Sequence, residues 1–406
     1  CRTGFNEIII NPWYLRNQRI RDGLAEVTDL YFKENTHTVD SKVTLWEAFK
    51  TVLKGQALSL ISGHKKEKAS KLEAIEKDIT ELENLAVETG SPGDRHKVLL
   101  KQKEYRNVAE DSAKAKARAT QHRIYEVGDK AGKLMAWLDK RELADRWVAE
   151  INSLDGDLPR QKESIPELFA TYYTGVYSSQ SDRTAEDAKE LLAGIPLQRL
   201  DDIDASALEL KITDEEIERA IHGLRSGKAL GPNGVPIELY KAQSEVLTPH
   251  LLHMFSESRE RGCLPIDQRL ATIVTIHKEG KPKDDCASYR PISLLNAEIK
   301  ILAKLLASRL VPVVTTLVHA DQAGFMPKRN TALNLRRLHS VMGCMAAIKE
   351  DAVILSLDAK MAFDSIEWNY MMEALKRMGL GPNFLSWVML LYTKPLAQVK
   401  INGKRS

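Results

Sequence analysis

The chain has 406 residues, 43% of them apolar and 28% charged, the make-up of a folded globular protein with room for two or three domains. Its 59 basic and 56 acidic residues leave a net charge of +3, too little for nucleic-acid binding through bulk charge, so any such binding must come from local clusters. Cys1, Cys263, Cys286 and Cys344 lie far apart without a Cys-x-x-Cys pair, which argues against a disulfide framework or a zinc site and reads as reduced thiols in an intracellular protein. No apolar run approaches a membrane span and no signal peptide is visible; the first residue, Cys1, suggests a cut N-terminus or a partial gene model.

Residues 1–62 open with a strand-like Glu7-Ile-Ile-Ile10 and an Asn11-Pro12 turn. Helical patterns follow around Arg19–Asn35 and Thr44–Leu60, with Ser41 as a candidate cap for the second. From His64, Leu72, Ile75, Ile79, Leu82 and Ala86 recur at spacings of three and four among Lys and Glu, a thin apolar seam on a charged helix. Gly90-Ser-Pro-Gly-Asp94 breaks it, and a second long helix is expected from about Arg95 towards Trp147. The pattern predicts an antiparallel helical hairpin over residues 63–150, each helix covering the other's seam. Between Arg95 and Trp147 there are 14 Lys or Arg against 8 Asp or Glu, with Lys114, Lys116, Arg118 and Arg123 close together. From the charges alone such a face is a solvated helical face; only attached to a polymerase would it become a candidate for tracking an RNA backbone.

Residues 151–210 read as a connector holding Phe169, Tyr172 and Tyr173. Thr213-Asp-Glu-Glu216 then opens a helix with a cap and first-turn acids, and from 211 onward helices alternate with short apolar strands. Gly231-Pro-Asn-Gly234 is a turn whose glycines allow another backbone to come close. Ala271–Ile276 is a β-branched strand leading to His277-Lys278, and Tyr289-Arg290-Pro-Ile-Ser293 follows. Residues Lys300–Leu310 form an amphipathic helix, and Asp321-Gln322-Ala-Gly324-Phe325-Met-Pro-Lys328-Arg329-Asn330 comes next, with Asn334 just beyond. A buried strand is predicted over Ala352–Leu357, neighboured by a strand near Ala397–Ile401. Asp358 stands at the first strand's exit, where a carboxylate can hold a divalent cation; Phe363 and Asp364 follow, then a helix from Glu367.

Taken in order, the segments from Ser226 to Ser406 resemble the reverse transcriptases of non-LTR retrotransposons (long interspersed elements). Thr44-Leu-Trp-Glu-Ala-Phe-Lys50 resembles the connector between endonuclease and polymerase in the same elements. The resemblance implies an α/β (α+β) reverse-transcriptase fingers and partial palm over 211–406, preceded by a mainly α-helical connector with the long hairpin. It implies that Lys278 and Arg290 clamp the incoming triphosphate and that Phe363 is a steric gate against the ribose 2′-OH. Gln322, Gly324, Phe325, Arg329 and Asn334 would lie along the template, with Lys328 near its phosphates. Asp358 would be the catalytic metal ligand for Mg²⁺, two ions in the complete enzyme, and Asp364 a structural cap for the next helix. Asn233 stands where the family usually has Asp, and His277 where it has Pro. Implied partners are an RNA template, a DNA primer or target and deoxynucleoside triphosphates, with no membrane, in the nucleus and cytoplasm. Because the sequence stops at Ser406, before the family's two-aspartate motif, the chain by itself is expected not to polymerise. A domesticated, non-catalytic RNA-binding protein on the same fold is the alternative; a helical scaffold would account only for residues 64–150.

Overall fold

The computed structural model describes residues 9–120, 147–152, 164–179, 184–359 and 361–406. A mainly helical N-terminal region is followed by a mixed α/β region. Helix α1 spans Gln18–Asn35, started by the Asn17 side chain accepting from Ile20 N. Helix α2 spans Lys42–Thr89, and Ser41 Oγ accepts from Thr44 N at 3.0 Å, the cap expected from the sequence. Its 48 residues form one rod that passes straight through the boundary expected at 62/63. Gly90, in the left-handed conformation at φ 63°, ends α2, and α3 spans Pro92–Thr120.

The two halves of α2 pack differently. In the distal half Ile75 and Ala86 are buried, as is Val98 of α3. Lys101–Asp78 at 2.9 Å, Tyr105–Glu76 at 2.6 Å and Gln102–Glu83 at 3.0 Å join α2 to α3 across the hairpin. Lys114, Lys116 and Arg118 fall in the last turns of α3; Arg123 and the continuation of the helix expected towards Trp147 lie outside the described residues. In the proximal half Leu45, Trp46, Phe49, Leu53, Ala57 and Ile61 form one helical face and are all buried. Burying each large apolar side chain of this kind is worth roughly 1.5–3 kcal/mol. This face shares a single core with residues from both α1 and the C-terminal region: Phe32, Tyr240, Leu247, Met254, Leu302 and Trp387 belong to the same cluster.

Helix α4 spans Ile165–Tyr177, opened by a Ser164/Glu167 capping box. Helices α5 (Ala185–Ala193), α6 (Asp202–Leu208), α7 (Asp214–Gly223), α8 (Ile237–Ala242), α9 (Ser244–Glu260) and the single turn α10 (Ile266–Arg269) lead to strand β1, Leu270–His277. Strand β2 spans Tyr289–Leu294, and α11 (Ala297–Leu310), α12 (Val314–Leu317) and α13 (Thr331–Ile348) follow. The chain closes with α14 (Trp368–Arg377), α15 (Pro382–Tyr392), β3 (Leu396–Ile401) and β4 (Lys404–Arg405). The sheet order is β2-β1-β3-β4, with β1 antiparallel to β2 and parallel to β3. One face of it packs on α4 in a second core that includes Phe169, Tyr173, Ile273, Tyr289 and Val399.

One expected strand is not formed. Residues 351–359 have no regular structure, and Val353, Leu355 and Leu357 are 93%, 76% and 83% exposed. The segment near Ala397–Ile401 is a strand, but it pairs with β1 on one side and β4 on the other. Apolar, β-branched residues make a strand only where a neighbour offers an open edge and a covering layer. β1 takes one edge of β3 along Leu396–Val399 and β4 the other at Lys400–Ile401, and among the described residues no strand pairs with 352–357, so the palm strand expected there is absent.

Candidate nucleotide and template site

The β1–β2 hairpin carries the two cations expected to meet a triphosphate. Ile276 pairs with Arg290, and Lys278 N donates to Ser288 O at 2.8 Å, continuing the register by one step. Lys278 and Arg290 are therefore diagonal neighbours on one hairpin, a relation that typically separates residues by about 7–8 Å. Lys278 Nζ donates to Ala287 O at 2.7 Å, while Arg290, next to the buried Tyr289, is exposed. His277 helps to shape the loop between the strands. Its Nε2 bonds Lys281 O at 2.9 Å and its ring meets Tyr289 edge-on at 5.2 Å, while the Tyr289 hydroxyl donates to Lys283 O. The hairpin loop is thus closed by the two aromatic residues at its neck.

Lys278 lines a cleft of about 1650 Å³ between α4, the sheet, residues 361–369 and the α15–β3 turn. Tyr172, Tyr177, Arg269, Asp364 and Trp368 line it too. Burial, reinforced by the Asp364 charge and a hydrogen bond to that carboxylate, pushes the Tyr177 phenol up to about 12, so Tyr177 stays a neutral donor near neutral pH. Ser179 Oγ donates to Glu367 at 2.9 Å, a second tie between the end of α4 and the start of α14. This corrects the expected role of Asp364: the N-cap of α14 is Glu367, with no side-chain cap bond, and the Asp364 carboxylate is held instead by Tyr177.

A second concavity of about 710 Å³ gathers Val318, His319, Gln322, Gly324, Phe325, Met326 and Phe363. The expected sugar gate and the expected template loop thus meet: the Phe363 and Phe325 rings lie edge to face, centroids 5.8 Å apart. Phe325 is 95% exposed and has a left-handed backbone with φ 60°, a conformation a bulky side chain rarely takes and one that clusters at functional sites. Gln322 Nε2 donates to Gly324 O at 3.2 Å, and Asn334 Nδ2 to Asp321 O at 2.7 Å. The Arg329 guanidinium donates to four carbonyls, those of Thr315, Val318, His319 and Gln322. Four of its five donors hold the end of α12 and the start of the loop, a role no sequence pattern announced. Asp358 is exposed and lines neither concavity. Among the described residues no group of three or more His, Cys, Asp or Glu side chains is arranged to hold a metal ion, so Asp358 is not part of an assembled two-ion site. No helix among the described residues is long and apolar enough to cross a membrane.

Residues 276–406 match the family model for reverse transcriptase (RNA-dependent DNA polymerase). The chain is similar to the Transposon TX1 uncharacterized 149 kDa protein of Xenopus laevis, 23% identical over 395 residues that make up 96% of this chain and 30% of that protein. It is 30% identical over 197 residues to the RNA-directed DNA polymerase from mobile element jockey of Drosophila melanogaster, across 48% of this chain and 21% of the relative. It is 24% identical over 177 residues to the Pol polyprotein from type-1 retrotransposable element R2 of Bradysia coprophila, across 44% and 20%. The chain spans less than a third of the length of these relatives. The Gln-x-Gly-Phe loop and the Phe363 segment that meet at the second concavity both fall within the matched region, and the chain belongs to the non-LTR retrotransposon reverse transcriptase family.

Proposed function

We propose that this chain is part of an RNA-directed DNA polymerase that copies retrotransposon RNA into DNA, in the full-length protein by extending a primer at a nicked chromosomal target. The observation that carries the reading is the meeting of Phe363 with Gln322, Gly324 and Phe325 at one concavity, inside the part of the chain that matches reverse transcriptase. Exposed aromatic faces beside a loop with amide donors suit stacking and sugar contacts with a single strand. In this reading the template runs over the Gln322–Phe325 loop, with Asn334 supporting it through Asp321. Phe363 sits where a ring would collide with a ribose 2′-OH and so favours deoxynucleotides. Lys278 and Arg290, diagonal on their hairpin, supply a point charge and a planar guanidinium to the triphosphate as charge builds on its oxygens. Asp358 is the proposed ligand from this chain for the Mg²⁺ that the family uses.

The test is primer extension on an RNA template by the full-length protein that carries these residues. Asp358→Ala should abolish extension, and Phe363→Ala should retain it while raising ribonucleotide incorporation relative to deoxynucleotide. Unchanged sugar discrimination in Phe363→Ala would remove the gate from this position. Failure of the parent protein to extend on RNA while still binding it would favour a non-catalytic RNA-binding role.

A further inference from the structure

Lys50 is a lysine where a core residue would be expected. It lies on the buried face of α2, 2% exposed, between Phe49 and Leu53. Its ammonium faces three carboxylates: Asp267 at 2.5 Å, Glu47 at 2.8 Å and Glu298 at 3.5 Å. Burial works against the charged lysine, but Glu298, Glu47 and Asp267 together outweigh it and hold the ammonium protonated. The two distant carboxylates come from the two roots of the β1–β2 hairpin. Asp267 sits on α10, three residues before β1 begins, and Glu298 sits in the first turn of α11, four residues after β2 ends. Asn296 ties the same roots through its side chain, Nδ2 donating to Asp267 O at 2.7 Å. The Gly231–Gly234 turn closes the ring: Asn233 N donates to Asn296 Oδ1 at 2.9 Å, and Asn233 Nδ2 to both Glu298 oxygens at 3.1–3.2 Å.

A buried ion cluster is a poor source of stability compared with apolar packing of the same volume, and its better-attested use is to fix one geometry among several. Here one compact charge must be reached by carboxylates from both ends of a hairpin, which an apolar residue would not demand. Tyr240, itself fully buried, hydrogen-bonds Glu298 from α8, so the arrangement is held from three sides.

We infer that Lys50 is a positioning residue for the β1–β2 hairpin: a cation delivered by the N-terminal helical region that sets the distance between the hairpin's two roots, and through them the place of Lys278 and Arg290. Only the last step, the link to a triphosphate, rests on the polymerase reading.

The experiment is hydrogen exchange across the whole chain, paired with binding of a deoxynucleoside triphosphate. Lys50→Met should speed exchange at least tenfold over residues 266–298 and 231–235, with the distal α2–α3 hairpin unchanged, and should weaken triphosphate binding. Lys50→Arg should restore much of the protection. Should Lys50→Met not fold, Glu298→Gln, which leaves Lys50 paired with Glu47 and Asp267, should loosen residues 289–298 more than 266–273. Exchange that rises uniformly over the chain, or a hairpin root unaffected in either variant, would overturn the inference. Lys278→Met serves as the separating control. If it leaves triphosphate binding untouched while Lys50→Met still loosens the hairpin, the nucleotide reading fails and the positioning role stands.

Discussion

Gly231→Ala is the sharpest single test of how the turn at 231–234 is seated. Gly231 lies outside the left-handed region, so the substitution meets no backbone strain, only crowding. A Cβ built on it would lie 2.3 Å from Asn296 Oδ1, 2.4 Å from Asn296 N and 2.5 Å from Leu295 C, all far inside contact distance. Two of those atoms are backbone leading into α11, so the turn must withdraw by about an ångström, since protein interiors do not deform smoothly. Overpacking of this kind typically costs about 1–3 kcal/mol. Withdrawal also breaks the Asn233 bonds to Asn296 and Glu298; Glu298 keeps Lys50 and Tyr240, but the Asn233 donors and Asn296 Oδ1, on side chains 2% and 0% exposed, lose these partners, at about 1–3 kcal/mol for each unsatisfied group. Allowing for partial relaxation, the expected loss is about 3–5 kcal/mol. Gly55→Ala is the matched control: it lies inside α2 with nothing within 4 Å of its built Cβ, so the better helix former should gain about 0.5–1 kcal/mol. Urea unfolding followed by circular dichroism and tryptophan fluorescence reads both as shifts in midpoint at constant slope. A Gly231→Ala protein within about 0.5 kcal/mol of its parent would refute the seating described above.

His250 stacks on Phe32 at 3.6 Å, and burial, helped by the charges of His253 and Lys42, lowers its pKa from 6.5 to about 4. The folded state therefore keeps it neutral, and its contribution is full above pH 6.5 and lost as pH falls towards 4; discounted for partial exposure, the loss is about 2 kcal/mol. His250→Phe should flatten stability over that window, and an unchanged pH profile would refute the assignment. Arg329→Ala should lower stability and leave the salt dependence of RNA binding intact, because four of its five donors are already given to carbonyls; a smaller salt slope would return the residue to the template. Binding of single-stranded RNA by the chain should show a slope of log K against log salt of about −3 to −4, for roughly four to six phosphates neutralised. A flat dependence would contradict an electrostatic contact.

Short-range chemistry was legible in the sequence. Ser41 as a cap, Gly90 as a helix stop, the spacing of Leu45, Trp46 and Phe49 on one face, and Thr213 with Glu216 as a capping box all depend on near neighbours, and each is found in the fold. What pairs with what across long separations was not legible. Lys50 reads as one more charge on a charged helix until Asp267 and Glu298, more than two hundred residues away, are seen beside it. Phe363 and Phe325 gave no hint of sharing a concavity. Asp364 read as a helix cap because a cap is the nearest use for an aspartate before a helix, whereas its partner is a tyrosine on α4.

The strand expected over Ala352–Leu357 shows the limit from the other side. Its composition is right for a buried strand, and the residues that precede it do form a helix, Thr331–Ile348. Composition, however, reports only that a segment suits a covered, paired environment, and the environment itself has to come from elsewhere in the fold. Here the neighbouring strand expected near Ala397–Ile401, β3, pairs in parallel with Leu270–His277, whose buried residues Ala271 and Ile273 meet Ala397 and Val399 in register. The strand that pairs with it also buries Ile273 in the core that holds Phe169 and Tyr173, a cover that residues 352–357, largely exposed, do not have. The same logic unites the chain's two regions. Leu45, Trp46 and Phe49 found their cover in the core they share with the C-terminal region and not in the hairpin they lead into, so the proximal half of α2 is, by packing, continuous with that region.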